Sequence, residues 1–129
     1  MTLYHVTHTR LVRRIQRDGL LTLQTSNWSN GAGEPHYGGG AIHAFESRMD
    51  ALRWAAKMDW LLHKESGSGR ISIIAFEPPD VIQWDDDFND TLSQMGRQGS
   101  WLKTFVPVPP AAIRSSEQFT QDLARQLVL

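Results

Sequence analysis

Two stretches decide how the chain is read: Leu3-Tyr4-His5-Val6-Thr7 and, after a charged segment, Asp18-Gly19-Leu20. Residues 2–7 read as a short strand, with Leu3 and Val6 among its apolar members. His8 or Thr9 then caps a helix running to about residue 17, whose buried stripe is Leu11, Val12 and Ile15. Gly19 stands where a helix C-terminus favours a left-handed residue.

Working outward, the pattern dissolves over residues 21–40. There Asn27, Ser29, Asn30, Gly31, Gly33, Pro35 and Gly38-Gly39-Gly40 mark a long flexible loop, and a loop of that length in a small domain tends to carry function. Residues 41–45 form the next strand. Ser47, with Asp50 three positions on, opens a helix in which Ala51, Ala55, Met58 and Leu62 keep helical spacing to about His63. Residues 70–76, carrying Ile71, Ile73 and Ile74, are the clearest buried strand, broken by Pro78-Pro79. Residues 81–84 read as another short strand, the stretch to Met95 as a surface helix, and residues 101–106 as a strand ended by prolines. Ser115 or Ser116 is expected to cap a last amphipathic helix over 115–129, with Phe119, Leu123 and Leu127 on one face. Strands early, middle and late, with two helices on one side, indicate a single α+β domain over residues 1–129.

Composition narrows the function classes. Hydrophobic residues at 40% and charged residues at 21% fit a globular chain and argue against disorder. No apolar run approaches the roughly 20 residues of a membrane span, and Met1 leads into a strand without signal-peptide character, so a cytoplasmic protein with no membrane partner is expected. Without cysteine, disulfides and thiolate metal sites are excluded. The formal charge of −1 gives no global pull toward nucleic acid, although Arg10, Arg13, Arg14 and Arg17 cluster in one segment and Asp85, Asp86, Asp87 and Asp90 in another. Each cluster also reads as a solvated face.

Chemistry therefore falls to the histidines and carboxylates. His5 and His43 each lie inside a predicted strand, placed either to meet on adjacent strands or to be satisfied, half-buried residues. No histidine pair has helical metal-ligand spacing, so no metal is expected. No serine sits in a G-x-S-x-G elbow, and Gly38-Gly39-Gly40 lacks the G-K-[ST] of a phosphate loop.

Three blocks carry a resemblance. The first strand, its helix and Asp18-Gly19-Leu20 resemble the opening of ADP-ribosyltransferases, a Y-H-G-T strand followed by a helix and G-L. Gly40-Ala41-Ile42-His43-Ala44-Phe45, Ser47 and the helix through Ala51 and Trp54 are similar to the G-I-Y-F strand and small-residue helix of the poly-ADP-ribose polymerase branch. Ser100-Trp101-Leu102-Lys103, Val106 and Pro109-Pro110 resemble the V-W-L-T and V-P-P ending of RNA 2′-phosphotransferases, whose V-H-L-S strand also has a histidine where His43 stands. The blocks span roughly residues 2 to 113 in family order.

The resemblance implies a small split β-sheet with flanking helices, and NAD as substrate without a metal. His5 would bond a ribose hydroxyl, Val6 would hold the nicotinamide amide through its backbone, and Thr7 would support the adenosine side. His43 and Trp54, eleven positions apart like the two tyrosines of the polymerase branch, would clamp the leaving ring, with Ser47 at the start of that helix in the same NAD-contacting set. Loss of nicotinamide leaves an oxocarbenium-like ribose that needs positioning and a polar group nearby. Where many transferases place a glutamate, this chain has Ser100, with Gln98 near it, and Glu77 is a distant substitute. The implied function is mono-ADP-ribosyl transfer to a macromolecular acceptor, protein or nucleic acid, as a toxin-like or phage-encoded modifier would perform. The alternative is a catalytically inactive domain of the same fold, acting as a nucleotide- or protein-binding inhibitor.

Overall fold

The structure is a computed structural model that describes residues 1–22, 41–86 and 101–127. Most of the loop read over 21–40, Trp28 included, and the acidic segment past Asp86 lie outside the described residues. In chain order the elements are β1 (Leu3–His8), a 3-10 turn (Thr9–Leu11), α1 (Val12–Asp18), β2 (Ile42–Phe45), α2 (Arg48–His63), β3 (Ser68–Phe76), β4 (Asp85–Asp86), β5 (Trp101–Thr104), β6 (Ile113–Thr120) and α3 (Gln121–Arg125). The fold is mixed α+β, and its sheet is antiparallel throughout in the order β4-β5-β2-β1-β3-β6.

β1 is buried on both faces because side chains alternate along a strand. Val6 turns to the face covered by α2, where Ala51, Leu52, Ala55 and Met58 meet Phe45, Ile71, Ile73 and Phe119. Leu3 turns to the other face, with Ile42, Ala44, Ile74 and Phe76, covered by Ile15 of α1 and by Leu20 and Val108. The two helices thus lie on opposite faces, not on one as expected. An apolar strand such as β3 presents two hydrophobic faces, and both must be covered.

The ladders are unequal. β1 and β3 pair without interruption from Leu3↔Phe76 to His8↔Ile71, and β2 pairs with β5 along its whole length, from Ile42↔Thr104 to Phe45↔Trp101. β1 and β2 share a single register pair, Tyr4↔Phe45. The sheet is therefore two three-stranded halves, β4-β5-β2 and β1-β3-β6, meeting at a narrow seam.

Local signals hold at the start of α2 and the end of α1. Neither His8 nor Thr9 caps the first helix, and the Thr9 hydroxyl goes to the Gly69 carbonyl instead. Ser47 accepts from the Asp50 backbone N–H at 3.2 Å and caps α2. Gly19 ends α1 at φ 82°, and a Cβ there would meet the Val108 carbonyl oxygen at 2.1 Å, so the close crossing of these segments requires glycine.

The C-terminal helix expected over 115–129 is corrected: residues 113–120 are β6, and the helix is confined to Gln121–Arg125. Phe119 and Leu123 do share the core, which imitates a helical stripe. The exposed edge of β3 nevertheless needs backbone partners, and β6 supplies them from Ser72↔Gln118 to Phe76↔Ile113. The strand expected over 81–84 is likewise absent; pairing begins at Asp85, opposite Lys103. Among the described residues no helix is long and apolar enough to cross a membrane.

Asp59 of α2 is wholly buried and anchors the turn into β3. It accepts from the Gly67 N–H at 2.7 Å, the Ser68 N–H at 3.0 Å and the Ser68 hydroxyl at 2.5 Å. Asp59→Ala strands two backbone donors in the interior, a loss of about 2–4 kcal/mol. Urea denaturation is expected to show a lower midpoint with little change in slope; an unchanged midpoint would contradict the anchoring role.

Candidate functional site

His5 sits at the seam. It belongs to the β1 face that carries Leu3 and Thr7, the face covered by α1. Extending the Tyr4↔Phe45 register places it across from Ala44. Its Nδ1 lies 2.7 Å from the His43 carbonyl oxygen, so the ring of one half-sheet reaches the backbone of the other. A carbonyl only accepts, which makes Nδ1 the donor and leaves Nε2 with the lone pair.

Burial pushes the His5 pKa down to about 4; the bond to the His43 carbonyl opposes that shift, and the nearby His43 ring adds to it. The imidazole is therefore neutral at physiological pH, and Nε2 is an acceptor suited to a hydroxyl group.

A polar strip continues from His5 along the same face. Thr7 is fully buried there and pairs in register with Ser72 of β3, which is also buried. The Thr9 hydroxyl lies 2.8 Å from the Ser72 hydroxyl and donates to the Gly69 carbonyl at 2.6 Å. Sequence reading missed Ser72 and Thr9, although a serine between Ile71 and Ile73 was the available signal, since apolar strands rarely bury a hydroxyl without use for it.

The three rings expected to converge do not. By strand alternation His43 shares the face of Phe45, which is covered by α2, opposite to the face of His5. Trp54 lies on the α2 side but is only 7% exposed and packed in the core with Val6 and Phe45, so its ring is not available as a clamp. The apolar interior under α2 needs large side chains, and an indole at that position fills it.

Val6 also turns its side chain into that core, leaving only its backbone for a ligand. The Ser47 hydroxyl is committed to capping α2. Ser100 and Gln98 lie outside the described residues. Glu77 is engaged by Arg114 at 3.0 Å, and Arg53 by Asp50 at 3.1 Å. Trp60 is 59% exposed, whereas Trp84 is partly buried against Phe76. Among the described residues no three His, Cys, Asp or Glu side chains group as a metal would require.

No family model matches the chain, and no curated protein does. Among solved structures it is similar to protein CC0527 from Caulobacter crescentus, with 12% identity and a TM-score of 0.49 over 92% of this chain and 85% of that one. A double mutant of the same Caulobacter protein matches equally.

A depressed histidine pKa has a defined consequence for stability. Between about pH 6.5 and 4 the unfolded chain binds a proton at His5 that the folded chain refuses. His5 thus contributes stability that is complete above pH 6.5 and drains away as pH falls through that window, by roughly 3 kcal/mol in all. Denaturation midpoints are expected to fall from pH 7 to pH 5 in the native chain and to fall less in His5→Gln. Equal slopes in both would contradict the assignment.

Proposed function

We propose that the chain is an NAD-binding domain of the ADP-ribosyltransferase kind that transfers ADP-ribose to a macromolecular acceptor. One observation carries this reading: the neutral His5 ring, fixed by the His43 carbonyl at the seam between two half-sheets, with Nε2 left as an acceptor. The single Tyr4↔Phe45 pair joining the halves fits the split sheet that the resemblance implies.

In this reading Nε2 of His5 accepts a hydrogen bond from a ribose hydroxyl and fixes the sugar. Thr7 and Ser72 are fully buried beside it and back the strand that carries His5 without touching the dinucleotide. The glycosidic C–N bond breaks, and nicotinamide leaves with the electron pair. The acceptor's nucleophile bonds to the ribose C1′ and gives up its proton to solvent. The enzyme's share of the work is to hold the sugar and shield the developing cation. This reading rests on His5 and uses neither a Thr7 contact nor a His43–Trp54 clamp.

A second reading keeps the fold as a binding module without transfer, acting as a nucleotide- or protein-binding inhibitor. The burial of Trp54 favours it, because one wall of the nicotinamide site is then missing.

Calorimetry with NAD tests the shared element. Saturable binding is expected, weakened about tenfold in His5→Ala by loss of one hydrogen bond, with circular dichroism confirming that the variant is folded. No saturable binding by the native chain would sink both nucleotide readings. Labelled NAD with a cell extract then separates them: a labelled acceptor that disappears in His5→Ala marks a transferase, and binding without label marks the module.

A further inference from the structure

Arg10, Arg13, Arg14 and Arg17 repeat at i, i+3, i+4 and i+7 through the 3-10 turn and α1, the spacing that lines one side of a helix. The other side, with Leu11, Val12 and Ile15, packs on the core and forces the arginines outward. Arg10, Arg13 and Arg17 are exposed and Arg14 is half-buried.

Their partners are few. Arg17 is held by the neighbouring Asp18 at 2.9 Å, which keeps that carboxyl below its usual range. Arg10 and Arg13 form no ion pair among the described residues. The Nε of Arg14 is buried with no hydrogen-bond partner. A buried guanidinium donor without an acceptor is costly, while Arg10 and Arg13 stand exposed beside it. The local excess of positive charge stands out in a chain whose net charge is −1.

We infer that this stripe is a contact surface for the phosphate backbone of a nucleic acid. From Arg10 to Arg17 it runs about 10 Å at 1.5 Å per residue, long enough to face successive phosphates of one strand. Guanidinium forks match phosphate oxygens in pairs. A lipid surface is a poorer fit, because the segment's apolar side chains are spent on the core and none is left to insert. α1 covers the same sheet face that carries His5, so a nucleic acid seated on the stripe lies on that side of the molecule. Only its further role as ADP-ribose acceptor rests on the transferase reading.

Fluorescence anisotropy with a labelled single-stranded RNA of mixed sequence, run over a salt series, tests the surface. For three phosphate contacts the log–log salt slope is expected near about −2. In Arg13→Gln/Arg14→Gln the slope should shrink by about 1.4, while NAD binding stays unchanged. Should that variant fail to fold, Arg10→Gln/Arg13→Gln, at two exposed positions, gives the same readout. Retention of RNA binding in His5→Ala would show the stripe acting independently of the NAD site. The proposal is overturned by absence of RNA binding at low salt, by an unchanged slope in the folded variant, or by binding to phosphatidylserine vesicles in place of RNA.

Discussion

The state of the His5 ring depends on one hydrogen bond at a seam. Two three-stranded half-sheets share the single register pair Tyr4↔Phe45, and next to it the His5 ring donates to the His43 carbonyl. A backbone carbonyl at a strand edge must find a donor, and here a side chain provides it. That duty fixes the tautomer, and burial keeps the ring neutral. The acceptor character of Nε2 is therefore a consequence of how the sheet is joined. The polar strip of Thr7 and Ser72 lies beside it because β1 and β3 are in full register.

The same alternation that places His5 on one face sends His43 to the other. A sequence offset that resembles a family's does not by itself bring rings to one site. Trp54 is drawn into the apolar interior under α2. What remains at the seam is the His5 ring with Nε2 as an acceptor.

Much of the fold was legible in the residues. The first strand, the Gly19 stop, the Ser47 cap and the isoleucine-rich β3 each carry a local signal strong enough to survive tertiary packing. β6 did not, because Phe119, Leu123 and Leu127 repeat at helical spacing while the partner that makes a strand of residues 113–120 lies some forty residues earlier in β3. The side of the sheet taken by α1 was equally hidden, since both faces of β3 are apolar and neither announces its helix. Of the polar strip, His5 and Thr7 stand out as candidates in the opening block, whereas Ser72 is recognisable only once Thr7 stands opposite it. The orphaned Nε of Arg14 was likewise invisible, because a charge stripe in sequence does not show which guanidinium atoms packing will bury.

The most direct measurement is the nitrogen-15 spectrum of the His5 ring at neutral pH. The account predicts a neutral imidazole protonated at Nδ1, with Nε2 bare. A ring protonated at Nε2 alone would mean that the seam is not held by this bond, and a ring carrying both protons would mean that no acceptor is left at Nε2.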